Sequence, residues 1–203
     1  MSRPPLMTRS PASHPRRLPS EVSRACARRG IPVSRFVLVV SIGRQKVALF
    51  EKVATAGLRC DSARNGRYAF RKWFRCSTSK FGIGEKAGSN CTPRGLHRIA
   101  EKIGGGWPAG TVFKGRQPVG FTWQGRPGAT ITSRIFWLEG MEPGLNRGGV
   151  VDSHARYIYI HGTSNEPALG RPDSCGCVHL AAVDLMPLYD KIPLGSLVWI
   201  SET

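Results

Sequence analysis

A histidine and a cysteine stand where they could act together as a base and a nucleophile. His161 ends an alternating apolar run at residues 157–160, and Gly162 follows it directly. A loop rich in turn-forming residues then leads to Cys177, which Gly176 precedes. A thiol attacks as a thiolate, and an imidazole is well suited to take its proton near neutral pH. The pattern therefore predicts a cysteine nucleophile, Cys177, with His161 as its general base.

Residues next to this pair could position it and stabilise the charge that develops during attack. Gly176 permits a tight turn, in which successive N–H groups, that of Cys175 among them, can point at a developing oxyanion. The backbone after the histidine, at Gly162, or a nearby hydroxyl such as Ser174 could fix the tautomer of the imidazole. Both alternatives stay open at the level of the sequence.

The same residues could instead hold a metal ion. Cys175, Cys177 and His179 alternate, so that in a strand they would share one face, and His161 could supply a fourth ligand. Two cysteines and two histidines are a conventional zinc set, but zinc-binding cysteines are usually spaced C-x₂₋₄-C, and Gly176 suits a turn better than a strand. We therefore expect neither a metal nor another cofactor, and a zinc-binding Cys/His protein is the alternative.

The charge of the chain favours an anionic partner. Its 203 residues include 30 Lys+Arg against 13 Asp+Glu, which gives a formal net charge of +17. An RNP-like strand, a helix-turn-helix signal and zinc-finger spacing are all missing from the sequence. We therefore expect no specific nucleic-acid partner, and a basic nucleic-acid-binding module is a second alternative to an enzyme. An anionic polymer could still be attracted by the basic surface.

The six cysteines would permit disulfides in an oxidising compartment, although their spacing does not fix a pairing. Apolar runs in the sequence are too short for a membrane span or for the core of a usual signal peptide. No export signal is visible in the sequence.

Composition divides the chain into two parts. Residues 1–35 contain eight arginines, no lysine and repeated Ser and Pro, with little hydrophobic periodicity. Such a segment cannot bury enough apolar surface to offset its conformational entropy, which predicts a basic, disordered leader. Residues 36–203 contain many short β-rich runs between turns rich in Gly and Pro, and form the second part.

This second part has the pattern of a mainly β domain. Its first two runs, residues 36–42 and 46–50, predict a hairpin, and residues 197–200 predict a closing strand. One short helix is predicted over residues 181–190, after Cys177. We expect the strands to form two packed sheets, as in a β-sandwich, with the helix after the cysteine.

Residues 160–163 read IHGT, and residues 174–180 read S-x-G-C-V-x-L. Through these motifs, residues 36–200 resemble the catalytic domain of L,D-transpeptidases of the YkuD type. Upstream, T-P-x-G at residues 92–95 is similar to a turn of that family, and LGSLVWI at residues 194–200 is similar to its closing strand.

The resemblance implies a β-sandwich enzyme of the bacterial cell envelope or periplasm that acts on peptidoglycan stem peptides as donor and acceptor. Cys177 would attack the carbonyl of the third stem residue, with His161 as base and backbone amides from Cys175 to Cys177 as the oxyanion site. D-Alanine would leave, and an amine would resolve the thioester. Cross-linking, protein anchoring, D-amino-acid exchange and carboxypeptidase action share this first half-reaction. Carbapenem-type inhibitors are also expected.

Two positions depart from the commonest pattern of that family. Cys175 stands where His or Lys is frequent, and His179 stands where Arg or Asn is frequent. An arginine would offer a bidentate fork to a substrate carboxylate, and a neutral histidine cannot. We therefore expect His179 to bind the substrate in a manner that depends on pH.

Overall fold

The computed structural model describes residues 17–53, 67–125 and 130–203. Its two α-helices in these ranges are α1 (Ser20–Ala27) and α2 (Ala182–Lys191). Its strands there are β1 (Phe36–Ser41), β2 (Lys46–Val53), β3 (Arg67–Ser77), β4 (Gly95–Ile103), β5 (Thr111–Lys114), β6 (Gln117–Phe121), β7 (Thr132–Gly140), β8 (Tyr159–Gly162), β9 (Val178–Leu180) and β10 (Leu197–Ser201).

The strands form one sheet that closes on itself. They pair in the order β4–β10–β1–β2–β3–β9–β8–β7–β5–β6, and β4 also pairs with β7. That extra pairing joins eight strands into a ring, which leaves β5 and β6 as an extension beyond β7. The prediction of a mainly β domain with a short helix after the cysteine is confirmed. The strands form one continuous sheet where two were expected. The pairing of β4 with β7 closes it and satisfies strand edges that an open sandwich would leave unpaired.

The predicted hairpin is confirmed, and it has a packed layer on each face. β1 pairs antiparallel with β2, with Val37 opposite Phe50. Leu38 and Val40 point into the core inside the ring, which α2 also joins through Leu185. Because successive side chains of a strand alternate between faces, the remaining apolar side chains of β1 point away from this core and need a second layer to bury them.

Helix α1 supplies this second layer. Its residues Val22, Ala25 and Cys26 are fully buried and pack in one cluster with Val37 and Phe50. The interpretation of residues 1–35 as a disordered leader is therefore wrong for this helix. The apolar stripe of α1 has helical spacing, but it is short and made of small residues, so the Arg-, Ser- and Pro-rich composition around it outweighs its signal. The stability of the helix comes from the hairpin beneath it.

An ion pair ties the residues after α1 to the residues that follow β7. The guanidinium of Arg29 donates to the Glu142 carboxylate at 2.8 Å and to the Met141 carbonyl at 3.1 Å. Residues 1–16 of the expected leader lie outside the described residues.

Helix α2 begins just after β9. Its buried face, Leu185, Leu188 and Tyr189, is the apolar stripe that the sequence indicates. Pro187 lies inside the helix and removes one backbone donor without ending it. Neither this helix nor any other in the described ranges is long and apolar enough to cross a membrane.

Candidate active site

Two neighbouring strands of the ring bring the predicted base and nucleophile to the same cavity. β8 and β9 are parallel neighbours, with His161 opposite His179 in the register, and Cys177 immediately precedes β9. The sequence indicated a strand over residues 157–160 with His161 at its end. Tyr157 has a φ of 56°, which interrupts extended backbone, so the strand starts two residues later and contains His161.

A cavity of about 350 Å³ collects most of the side chains that the sequence singled out. Its walls include His161, Ser174, Cys175, Cys177 and His179. The two glycines of the predicted site, Gly162 and Gly176, adjoin these residues in the chain and act through their backbone.

The imidazole of His161 is held in a defined tautomer. Its Nδ1 lies 2.8 Å from the carbonyl oxygen of Gly162. A carbonyl only accepts hydrogen bonds, so Nδ1 carries the proton and the Nε2 lone pair remains available to take another. Gly162 also lets β8 approach β7, since a Cβ there would lie 2.6 Å from the Thr132 carbonyl oxygen.

Burial, with a smaller contribution from neighbouring His179, lowers the pKa of His161 to about 3. The ring is therefore neutral at pH 7, the form in which an imidazole can act as a base.

The thiol of Cys177 is also neutral at rest. Burial raises its pKa to about 11, against the lowering effect of the Tyr159 N–H, which donates to Sγ at 3.4 Å. The thiol in turn points at the Tyr157 carbonyl oxygen, 3.4 Å away. The pair at rest is accordingly a thiol and an imidazole, so any attack by this sulfur would require its deprotonation in the same step.

A short turn fixes the backbone around Cys177. The Ser174 hydroxyl donates to the Cys177 carbonyl at 2.6 Å and accepts from the Gly176 N–H at 3.2 Å. Gly176 has a φ of 121°, a region that side chains other than hydrogen rarely tolerate. Because its N–H is directed at Ser174, the N–H groups of Cys175 and Cys177 remain as candidate donors to an oxyanion.

Thr92, which the sequence did not indicate as a residue of the site, supports this turn. The Thr92 hydroxyl donates to the Gly176 carbonyl at 3.0 Å and accepts from the Ser79 N–H at 3.0 Å. The T-P-x-G pattern marked the position of Thr92 but not its partner. Arg156, which donates to the Cys91 carbonyl at 2.8 Å on the other side of the turn, has no local sequence signal.

His179 is buried next to His161. Its ring centroid is 4.7 Å from that of His161, and burial lowers its pKa. Its Nδ1 is buried and has no hydrogen-bond partner within the described part of the chain. A buried polar atom of this kind is costly unless a ligand or water satisfies it.

Metal ligation finds no support in this arrangement. Across the described ranges, no group of three or more His, Cys, Asp or Glu side chains is placed to hold a metal ion. The cysteines in these ranges are free thiols: Cys26, Cys76, Cys91, Cys175 and Cys177. Cys60 lies outside the described residues.

Comparisons with known proteins point to one family. A family model described as the YkuD L,D-transpeptidase catalytic domain matches residues 35–200. No curated protein sequence matches the chain significantly. Among solved structures, Bd1075 of Bdellovibrio bacteriovorus superposes with a TM-score of 0.50 at 17% identity, over 84% of this chain and 49% of that one. This likeness shows a shared fold.

Two mycobacterial structures are also similar. An L,D-transpeptidase from Mycobacterium smegmatis has a TM-score of 0.45 at 15% identity, over 82% of this chain and 58% of that one. L,D-transpeptidase 3 from Mycobacterium tuberculosis, in complex with a faropenem-derived adduct, has a TM-score of 0.42 at 17% identity, over 83% of this chain and 60% of that one. The chain thus spans about half to three fifths of the length of these structures.

Proposed function

Because the chain belongs to the YkuD family of L,D-transpeptidase catalytic domains, we propose that it is a cysteine peptidyltransferase acting on peptidoglycan stem peptides. Cys177 forms a thioester with the third stem residue, the terminal D-alanine is released, and an amine acceptor takes the acyl group. One observation carries this proposal: Cys177 and His161 line the same cavity, and the Gly162 carbonyl leaves Nε2 of His161 free to act as base.

The first half-reaction begins with both groups neutral. Nε2 of His161 takes the thiol proton as the Cys177 sulfur attacks the carbonyl carbon. The oxygen of that carbonyl becomes an oxyanion, which the N–H groups of Cys175 and Cys177 stabilise. When the intermediate collapses, the C–N bond breaks and the imidazolium returns its proton to the amine of D-alanine, leaving the thioester.

The second half-reaction reverses these roles. An acceptor amine attacks the thioester carbon, His161 removes a proton from the attacking nitrogen, and the C–S bond breaks. The proton then returns to the sulfur, and the thiol is regenerated. The hydrogen bonds from Ser174 and Thr92 keep the turn in one conformation through both steps, so the donors need no reorganisation.

The surroundings of the enzyme follow from the same proposal. A peptidoglycan substrate places the protein in the periplasm or cell envelope, with a role in cell-wall biogenesis and cell shape. The net charge of +17 suits an anionic wall polymer. Carbapenem-type compounds would inhibit by acylating the thiol of Cys177.

Intact-mass measurement of the acyl enzyme tests the proposal. Wild-type protein incubated with tetrapeptide-stem muropeptides, or with a carbapenem, should gain the mass of one acyl group and, with the muropeptide, release D-alanine. Cys177→Ala should form no adduct, because the proposal assigns the attack to the Cys177 sulfur and not to Cys175, the other thiol that lines the cavity. Cys91→Ala, which removes a thiol outside the cavity, is the matched control and should be acylated like the wild type. An adduct that persists in Cys177→Ala would refute the assignment of the nucleophile.

His179 is proposed to contact a carboxylate of the donor stem. A protonated imidazole donates from both nitrogens and a neutral one from a single nitrogen. Burial lowers the pKa of His179, so the ring reaches half-protonation only below the ordinary value near 6.5. Affinity for the donor should consequently rise as the pH falls from about 8 to about 5, where a carboxylate stays ionised.

Apparent substrate affinity across this pH range checks that assignment. His179→Ala should weaken binding and flatten its pH dependence, whereas His154→Ala, on a histidine outside the cavity, should change neither. Unaltered affinity and pH dependence in His179→Ala would show that the contact does not exist.

A further inference from the structure

A second thiol stands beside the nucleophile and has no task in acyl transfer. Cys175 is exposed, lines the same cavity as Cys177, and its charge would raise the pKa of the Cys177 thiol, so the two sulfurs interact electrostatically. The other free thiols in the described ranges are placed differently. Cys26 and Cys76 are fully buried, and Cys91 points at the backbone carbonyls of residues 81 and 89.

The backbone between the two thiols is bent in a way that favours a bond between them. A disulfide needs Cα atoms about 4.4–6.8 Å apart. Two residues separated by one other lie about 6.6–7.2 Å apart when the chain is fully extended. Gly176 departs from extended backbone with its φ of 121°, and the Ser174 hydroxyl closes a turn across the segment. The bend brings the Cα atoms towards the disulfide range.

We propose that Cys175, Gly176 and Cys177 form an oxidation site, at which a peroxide converts the two thiols into a reversible disulfide. The peroxide first oxidises Cys175 to a sulfenic acid, and one water is released. The Cys177 sulfur then attacks the Cys175 sulfur while Nε2 of His161 takes the thiol proton and passes it to the departing hydroxide, which leaves as a second water. Two thiols and one hydrogen peroxide thus give one disulfide and two waters.

The order of these steps follows from exposure and charge. Cys175 faces solvent, where a peroxide reaches it directly. The Cys177 thiol is partly shielded, and the same burial that raises its pKa keeps it protonated, so it reacts slowly with a peroxide on its own. With the imidazole beside it as a base, it can still attack a neighbouring sulfenic acid.

The disulfide has a consequence that, unlike its formation, rests on the proposed function. Once Cys177 is bonded to Cys175, it cannot attack a stem peptide, and acylation stops until a dithiol reductant restores both thiols. Without a neighbouring thiol, an oxidised cysteine proceeds to the sulfinic acid, which thiols do not reduce. Cys175 would therefore make the oxidation of the nucleophile recoverable.

Peptide mapping after mild oxidation tests the disulfide without any substrate. The full chain is reduced, exposed to hydrogen peroxide, alkylated and digested with trypsin, which leaves Cys175 and Cys177 on one peptide and Cys91 on another. That first peptide should lose two hydrogen atoms and resist alkylation, and dithiothreitol should reverse both changes. Cys91→Ser should behave in the same way. Cys175→Ser should show no reversible change at Cys177.

A parallel acylation assay separates this inference from the proposed function. Oxidised wild-type protein should lose carbapenem labelling of Cys177 and regain it after reduction, and oxidised Cys175→Ser should not regain what it loses. Independent sulfinic acids at the two cysteines, a Cys175–Cys91 cross-link, or reversible oxidation in Cys175→Ser would each overturn the inference. A mapped disulfide in a protein that never acylates would uphold the oxidation site and refute the transpeptidase.

Discussion

Replacing His161 with alanine is expected to slow acylation of Cys177 by about 10²- to 10⁴-fold, the usual contribution of a positioned general base. The magnitude should be large because burial raises the pKa of the Cys177 thiol to about 11, which leaves little thiolate at neutral pH. Single-turnover acylation by a carbapenem, followed by intact mass, measures the effect. His154→Ala, on a histidine that pairs with Glu101 outside the cavity, serves as the control and should acylate at the wild-type rate.

The pH profile of the same reaction distinguishes a base from a structural residue. Neutral thiol and neutral imidazole are the reactive forms, and the pKa values of about 3 for His161 and about 11 for Cys177 keep both neutral over the working range. The wild-type rate should thus stay nearly constant from about pH 5 to about pH 9, with acid loss only as His161 becomes protonated.

His161→Ala has no base, so its remaining rate should follow the thiolate fraction and rise about tenfold per pH unit. A wild-type acid limb near the ordinary histidine pKa, or a flat profile in His161→Ala, would contradict the assignment.

The local parts of this structure could be predicted from the sequence, because the contacts that form them are short-range. The β1–β2 hairpin, the α2 stripe and the motif around Cys177 each depend on residues close together in the chain. Alternation and turn residues report such elements directly. The same holds for Gly176, because a tight turn next to a nucleophile requires a backbone that only glycine adopts easily.

The non-local parts could not be predicted, because the periodicity of a segment does not indicate which distant segment it pairs with. His161 lies within a strand since β8 pairs with β7 and β9 from elsewhere in the chain. Closure of the sheet depends on the pairing of β4 with β7. The partner of Thr92, the Gly176 carbonyl, is likewise distant in sequence. The sequence could identify the groups of the site but not the contacts that orient them.

Helix α1 shows this limit of prediction most clearly. Its composition indicates disorder, whereas the burial of its side chains makes it part of the core. Whether residues 1–34 can be removed is therefore a sharp test. Val22, Ala25 and Cys26 are fully buried, and Val33 is nearly so. Fully burying a side chain the size of valine contributes about 1.5–3 kcal/mol, and removal would also expose Val37 and Phe50 beneath the helix.

The segment also bears on the active site through Arg29. The Glu142 carboxylate that pairs with it accepts the Leu96 N–H at 2.7 Å, at the end of the T-P-x-G turn that begins with Thr92. Removing Arg29 would leave a buried carboxylate without its cation, a loss that exceeds the value of an exposed pair. The disturbance would reach the turn whose Thr92 hydroxyl holds the Gly176 carbonyl.

Deleting residues 1–34 is accordingly expected to lower the free energy of unfolding by about 3–6 kcal/mol and the Tm by about 10–20 °C. Acylation of Cys177, measured well below the new Tm, should also slow. Arg24→Ala is the matched control on the same helix, since its side chain is 63% exposed and its ion pair with Glu21 lies in solvent. It should shift the stability by no more than about 0.5 kcal/mol. A truncated protein with the same Tm as the full chain would show that the fold does not need α1.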